Sequence, residues 1–294
     1  MQTENGLIMK STAGFYYVRC VDGKIIECRA RGVFRKQKIS PLVGDRVVIE
    51  YDGEKGTVVE IEERKNYLIR PPVANLDKLV IVSSVTEPVP SLLIIDKLTA
   101  MAVDKNIEPV VVFSKSDLGD AEEYVDIYSK AGIQSFSLSS KTGVGADKIR
   151  DVFKDSVCAL TGNTGVGKSS LLNLIAPELT LATSHISNKL GRGRHTTRTV
   201  ELYELFGGFI ADTPGFSSLD FENSEVIVKE DLPFCFPEFN KYLGQCKFVS
   251  CAHIGEKGCA VCSAADSGDI SKSRLDSYKM MYNEVKDYKE WNNK

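Results

Sequence analysis

The stretch that most restricts what this chain can fold into is CALTGNTGVGKSSLLNLIA, residues 158–176. An apolar run reads as a buried strand. A glycine-rich loop follows, and then a short segment with helical spacing that predicts a helix over Ser170–Ile175. Between strand and helix, Gly162-Asn163-Thr164-Gly165-Val166-Gly167-Lys168-Ser169 fits the pattern G-x-x-x-x-G-K-[ST]. Its glycines let the backbone curl until successive N–H groups point at one β-phosphate. The helix start at Ser169-Ser170 adds a partial positive charge. Lys168 is placed to span the β- and γ-phosphates, and the Ser169 hydroxyl to ligate Mg²⁺. The loop selects a nucleoside triphosphate without choosing the base.

Upstream, the same texture runs back to Leu79. KLVIVSSV, PVVVFSKSD and IQSFSLSSKTG read as strands, alternating with the helical patterns SLLIIDKLTAMAVDK, AEEYVDIYSKAG and GADKIRDVFKD. Alternation of this kind predicts an α/β domain with a mostly parallel sheet. Downstream, TRTVELYELFGGFIADTPG adds two strands, the second ending at Asp212. Residues 1–70 differ. Short apolar runs broken by glycine and charge (GFYYVRC, KIIECRA, RVVIEY, GTVVEIEE) predict four or five strands in a small β-barrel. The segment at Pro71-Pro72 marks a boundary, and after about Phe221 the alternation stops. The chain therefore divides into residues 1–70, 71–222 and 223–294.

Two strand ends carry polar loops suited to guanine. VVVFSKSD delivers Ser114, Lys115 and Asp117. Guanine offers two adjacent donors, N1–H and the N2 amine, so one carboxylate can accept both, and the Lys115 stem can cover the ring. Ser114 is shorter than the Asn or Thr usual at this place and would tie the loop less firmly to the phosphate loop. SFSLSSKTG delivers Ser139-Ser140-Lys141, whose backbone N–H groups suit guanine O6. Each tripeptide is weak alone; two in this order, each after a strand, are much stronger. After the phosphate loop, SHISNKLGRGRHTTRTV reads as a switch segment in which Thr196 or Thr197 supplies a second oxygen to Mg²⁺. In FIADTPGF, Asp212 suits a Mg²⁺-bound water and the Gly215 N–H suits the γ-phosphate.

Both base loops thus precede the phosphate loop. The order SKSD, SSKTG, GNTGVGKSS, RHTTR, DTPGF resembles that of the circularly permuted GTPases. With an N-terminal barrel and a C-terminal Cys/His stretch, the whole chain resembles the RsgA (YjeQ/YloQ) family of small ribosomal subunit biogenesis GTPases. The resemblance implies a circularly permuted P-loop GTPase domain, an N-terminal OB-like β-barrel and a C-terminal zinc-binding helical module. It implies GTP hydrolysis late in maturation of the small (30S) subunit, stimulated by that subunit, with rRNA among the contacts. At the position after Gly215, where a water-orienting Gln often stands, the chain has Phe216. His195 is the candidate replacement, and the resemblance implies the same role; Arg192, Arg194 and Arg198 are runner-up charge stabilisers.

Eight cysteines are present, four of them within seventeen residues: Cys246, Cys251, Cys259 and Cys262. A tight cluster suggests metal rather than disulfides. Cys246, Cys251, His253 and Cys259 make a full tetrahedral set for one structural zinc, with Cys262 spare or an alternative. The short spacings suggest a knuckle with little core of its own, stabilised mainly by the metal. Cys20, Cys28, Cys158 and Cys235 read as small buried apolar residues.

The net charge of −3 argues against a uniformly basic nucleic-acid binder, but residues 1–70 hold 13 Lys/Arg against 10 Asp/Glu. Lys24, Arg29, Arg31, Arg35, Lys36 and Lys38 are the candidates for an RNA-facing barrel surface. No apolar run approaches the roughly 20 residues of a membrane span, and the N-terminus lacks a secretory pattern. The expectation is a cytoplasmic monomer without a membrane partner. The rival readings are a nucleotide-dependent small-molecule kinase or ATPase, against which Asp117 and Ser139–Lys141 argue, and a zinc-dependent RNA-binding protein with a regulatory nucleotide site.

Overall fold

The computed structural model describes residues 1–37, 39–178, 200–212 and 226–288. In chain order the strands are β1 (Gln2–Thr12), β2 (Phe15–Cys20), β3 (Ile25–Ala30), β4 (Arg46–Asp52), β5 (Lys55–Ile61), β6 (Tyr67–Leu68), β7 (Val73–Ala74), β8 (Lys78–Ser84), β9 (Glu108–Ser114), β10 (Gln134–Ser137), β11 (Val157–Thr161), β12 (Glu201–Leu205) and β13 (Gly208–Asp212). The helices are α1 (Gly32–Lys36), α2 (Leu92–Asp104), α3 (Glu122–Lys130), α4 (Ala146–Phe153), α5 (Lys168–Ile175), α6 (Ala260–Ser267) and α7 (Lys272–Val285). Two compact units result. One comprises Met1–Lys78, Asp147–Leu160 and Ser169–Asp220; the other comprises Leu79–Ala146, Thr161–Lys168 and Phe221–Lys294.

In the first unit, alternation of apolar and polar residues closes five strands on themselves. β1 pairs antiparallel with β2 and β2 with β3; β3 runs parallel to β5, β5 antiparallel to β4, and β4 returns to β1. This is the closed OB-like barrel expected from residues 1–70. Its interior holds every second side chain of these strands, among them Ile8, Val18, Ile26, Val47, Ile49 and Val58, all fully buried. Cys20 and Cys28 are buried there too. The turn before β4 is pinned by a buried carboxylate. Asp45 accepts from Arg64 Nε at 2.7 Å and Nη2 at 2.8 Å, and from the Leu42 N–H at 2.7 Å. Such a two-pronged pair fixes direction as well as charge. The short hairpin β6–β7 pairs Tyr67 with Ala74 and Leu68 with Val73, so it straddles the prolines that mark the boundary in sequence.

The rest of this unit continues a sheet. β11 runs parallel to β13, with Val157, Cys158 and Ala159 opposite Phe209, Ile210 and Ala211. β13 and β12 form an antiparallel hairpin, and β12 meets β1 at Lys10 and Glu201, whose side chains pair at 2.7 Å.

In the second unit the strand order is β10–β9–β8, with β9 and β10 parallel. The buried runs of β9 and β8, Val110–Phe113 and Leu79–Val82, lack alternation because both faces are covered. The C-terminal stretch is more substantial than its short loops suggest. Phe236, Phe239, Val261, Ala265, Ile270, Leu275 and Tyr278 are buried in one cluster with Ala100 of α2. The expectation of little core is therefore corrected: α6, α7 and two 3-10 turns (Leu232–Cys235 and Pro237–Phe239) bring apolar residues together that are scattered in sequence.

Candidate functional site: a nucleotide edge and a cysteine–histidine knot

β9 and β10 are adjacent and parallel, with Ser137 opposite Phe113, so the loops that follow them leave from the same end of the sheet. That is where ligands bind in open α/β sheets. Lys115 turns the first loop with φ of 58°, and its ammonium reaches the Glu87 carbonyl. Asp117 is exposed and accepts from the Ser139 hydroxyl at 2.7 Å. The Ser139 oxygen in turn accepts from the Lys141 and Thr142 N–H groups at 3.3 and 3.2 Å. The Ser139 hydroxyl, with the Lys141 charge as a smaller cause, holds the Asp117 carboxyl below its usual range. Asp117 is thus a fixed, ionised acceptor, exposed and with Oδ1 engaged by Ser139. Ser140 is half-buried and Lys141 exposed in the same loop.

Ser114 lies fully inside, 2% exposed. Its hydroxyl is within hydrogen-bonding reach of the Ser83 carbonyl, at 3.1 Å, and of the Val166 carbonyl. The short serine therefore does tie the base loop to the phosphate loop. One hydroxyl has one proton, so it serves one of these carbonyls at a time.

The phosphate loop makes a close backbone approach of its own. Gly162 has φ of 142°, and a Cβ there would collide with the Val82 carbonyl, so glycine is required twice over. Val166 is buried and anchors the loop, while Thr164 and Gly165 are exposed and Asn163 and Gly167 are half-buried. Lys168 folds its ammonium onto the Gly162 and Asn163 carbonyls at 2.6 and 2.8 Å. Burial lowers its pKa. A strongly hydrated cation held this way is poised to exchange two neutral carbonyls for phosphate oxygens. The helix begins at Lys168, two residues earlier than expected, with Ser169 and Ser170 exposed on its first turn.

In the other unit, β11 feeds the phosphate loop and its parallel neighbour β13 ends at Asp212. A serine hydroxyl and a carboxylate are hard oxygen donors of the kind Mg²⁺ takes. His195, Thr196, Thr197 and Gly215 lie outside the described residues, as do Arg192, Arg194, Arg198, Phe216 and Lys38.

The knot forms in the loops before α6. The donor atoms of Cys246, Cys251, His253 and Cys259 lie within 4.8 Å of one another. His253 Nδ1 is 3.5 Å from Cys246 Sγ and 3.4 Å from Cys259 Sγ. Burial lowers the His253 pKa, which favours the neutral imidazole that can ligate. Burial also pushes the Cys251 thiol up to about 12 and Cys259 to about 11. Thiols so placed need a cation before they ionise, and three thiolates with one imidazole are the donor set of a closed structural zinc site. Outer contacts orient the set. The Ala260 N–H donates to Cys246 Sγ at 3.3 Å and the Cys262 N–H to Cys259 Sγ at 3.4 Å. The Cys262 thiol itself points to the His253 carbonyl, at 3.7 Å, outside the donor set.

Sequence reading passed over several residues that hold these sites. Glu256 accepts from the Ala252, Ile254 and Gly255 N–H groups at 2.7, 2.9 and 3.2 Å, and so shapes the loop around His253. Arg274, on α7, is another. It is fully buried, bonded to Glu238 at 2.7 and 3.2 Å and to Asp96 at 2.8 Å. Asp96 breaks the apolar run SLLIIDKLTAMAV and was the one available signal.

Comparison with known proteins agrees with this geometry. Residues 61–222 match the family described as RsgA GTPase, and residues 5–59 match the RsgA N-terminal domain. The chain is 46% identical over 291 residues to the small ribosomal subunit biogenesis GTPase RsgA of Geobacillus thermodenitrificans, covering 97% of this chain and 98% of the relative. It is 44% identical to the protein of that name from Caldanaerobacter subterraneus, covering 98% and 97%. Among solved structures it is similar to YloQ, a circularly permuted GTPase (TM-score 0.80, 37% identity, 98% and 96% covered). It is also similar to YjeQ from Thermotoga maritima (TM-score 0.83, 34% identity, 98% and 100% covered).

Proposed function

The chain belongs to the RsgA family of circularly permuted GTPases, and from that premise we propose that it hydrolyses GTP as it acts on the small ribosomal subunit late in maturation. The family implies GTP or GDP and Mg²⁺ as the bound species. The observation that supports the site reading best is Ser114, whose hydroxyl reaches both β8 and the phosphate loop from the strand that carries Asp117. The strand that carries the base-reading loop is thereby tied to the phosphate loop at Val166.

In this reading Asp117 accepts guanine N1–H and the N2 amine, the Lys115 stem covers the ring, and Ser139, Ser140 and Lys141 present N–H groups to O6. The turn Gly162-Asn163-Thr164-Gly165-Val166-Gly167 and the first turn at Ser169-Ser170 surround the phosphates with N–H donors. Lys168 leaves the Gly162 and Asn163 carbonyls to span the β- and γ-phosphates. Ser169, Thr197 (or Thr196) and Asp212 would hold Mg²⁺, which would neutralise phosphate charge as it develops. Gly215 donates to the γ-phosphate. His195 orients the attacking water when a partner is bound, since Phe216 cannot.

Cys246, Cys251, His253 and Cys259 hold one structural zinc. In chain order the barrel of residues 1–70 precedes and the zinc module of 223–294 follows the GTPase domain of 71–222, and both serve as docking surfaces. The basic residues Lys24, Arg29, Arg31, Arg35, Lys36 and Lys38 meet rRNA. The protein works as a monomer in the cytoplasm. Among the described residues no helix is long and apolar enough to cross a membrane.

The test is GTP turnover with and without small ribosomal subunits, in the natural protein and in His195→Ala. Stimulation of the natural protein, lost in His195→Ala while GDP affinity is retained, is the expected result. Turnover that subunits do not change would overturn the functional reading. Stimulation that survives His195→Ala would overturn only the role of that residue.

A further inference from the structure

The loop that carries Asp117 runs from the end of β9 to the start of α3, and both ends are held by one aromatic stack. Phe113, the residue before Ser114, lies with its ring centroid 5.3 Å from Tyr124 and 5.9 Å from Tyr128, both on α3. Phe113 and Tyr128 are fully buried. The stack is anchored at its far side. The Tyr128 hydroxyl donates to Asp96 Oδ1 at 2.9 Å, and the same oxygen accepts from Arg274 Nη1 at 2.8 Å.

Arg274 is the hub. Its guanidinium also reaches Thr99 Oγ1 at 3.1 Å, clasps Glu238 with two bonds, and lies over the Phe236 ring at 4.6 Å and the Tyr128 ring at 5.7 Å. One cation serves two buried carboxylates. Asp96 Oδ2 is buried and has no hydrogen-bond partner among the described residues, so each donor on Asp96 is costly to release. Burial and the neighbouring Asp96 push the Tyr128 phenol far above its ordinary range, which keeps its proton in place as a donor.

We propose that Arg274, through Asp96 and Tyr128, is a positioning residue for guanine recognition: the C-terminal helix α7 sets the place of the Asp117 loop. This rests on the reading of Asp117 as the guanine acceptor. It makes residues far from the nucleotide part of base specificity. It also gives a reason for an ion cluster that a well-packed apolar group could replace if stability alone mattered.

The experiment compares the affinities of GDP and inosine diphosphate, which lacks the N2 amine that Asp117 reads. The proteins are the natural chain, Tyr128→Phe, Arg274→Lys and Asp117→Asn. Tyr128→Phe keeps the ring stack and removes only the anchor. It is expected to fold and to lower the GDP preference by about threefold or more, with saturated GTP turnover unchanged. Arg274→Lys keeps the charge, loses the fork, and is expected to lower the preference further; if it does not fold, Tyr128→Phe decides alone. A merely structural role would weaken both nucleotides equally and leave their ratio intact, and that outcome overturns the inference. Asp117→Asn separates the two failures. If it leaves the GDP preference intact, the base-site reading falls and this inference with it. If it abolishes the preference while Tyr128→Phe does not change it, the inference alone falls.

Discussion

The cysteine–histidine knot and the guanine edge are both built from short polar loops, yet they are held in opposite ways. The knot draws its four donors from fourteen consecutive residues, Cys246 to Cys259, and sets them on an aromatic floor of Phe239 and Tyr278. The thiols of Cys251 and Cys259 are raised by burial and would be neutral without a cation. The guanine edge draws on two loops about two dozen residues apart, joined by a bond from the Ser139 hydroxyl to Asp117 and one from the Ser116 N–H to the Leu138 carbonyl, and the buried Ser114 ties the first of them to the phosphate loop. Its acceptor is exposed and already ionised. On the proposed reading the first site is completed by an ion and the second by a sheet. Perturbations should separate them accordingly.

The largest effect is expected at the knot. Cys259→Ser removes a thiolate that also caps α6 through the Cys262 N–H. Zinc binding at such sites contributes roughly 10 kcal/mol or more at neutral pH. Zinc content measured on purified protein should fall from about one per chain to near zero. The loop around Glu256 should become open to protease, while α7, held by its own core, stays protected in hydrogen exchange. If the whole segment from 226 onward lost protection, the contrast between an ion-held loop and a packed core would be wrong.

Next in size is Asp117→Ala. Two hydrogen bonds from guanine to a charged acceptor are worth about 3 kcal/mol together, so GDP affinity should fall about a hundredfold, with ADP affinity unchanged. A loss shared equally by both nucleotides would mean that Asp117 shapes the loop and does not read the base.

How much of this was readable in advance follows the same division. Candidate sites made by contiguous residues can be proposed from sequence. The phosphate loop, both base loops and the four metal donors are short strings whose chemistry requires particular atoms at fixed spacing. The barrel was legible from alternation, because one face of each strand turns inward. Arg274 was not. It sits in the stripe of α7 with Tyr278 and Met281, where a charge reads as solvated, and its partners Asp96 and Glu238 lie 178 and 36 positions away. Nothing local distinguishes a buried arginine from an exposed one until the fold brings the carboxylates. The C-terminal core was missed for the same reason: Phe236, Phe239 and Leu275 follow no single helical or strand period.

A smaller effect is expected from Ser139→Ala, which removes the neutral donor on Asp117. One such bond contributes about 1 kcal/mol, so GDP affinity should fall about fivefold at neutral pH. The pH dependence gives the sharper reading. The folded pKa of Asp117 is depressed, so its contribution is fully present above the ordinary carboxylate pKa and is lost as pH falls through the lower, folded value. Without the Ser139 hydroxyl that value rises, and GDP affinity should begin to fall at a higher pH. An unchanged acid limb would show that the Ser139 hydroxyl does not set the ionisation of Asp117.

The smallest effect should come from Cys262→Ser, and it tests the knot where the sequence is most ambiguous. Cys259-x-x-Cys262 has the spacing of a ligand pair, so spacing alone leaves two donor sets open. Geometry separates them. The Cys259 side chain accepts from the Cys262 N–H, which places Cys259 at the start of α6 facing the donor cluster, while the Cys262 thiol turns to the His253 carbonyl on the outer side. Serine can donate to the same carbonyl. Zinc content should stay at about one per chain, and stability should change by no more than about 0.5 kcal/mol, as at an ordinary partly exposed position. A drop in zinc content to match that of Cys259→Ser would mean that the metal is held through Cys262. The contrast would then have to be redrawn, with a knot that rearranges around its ion.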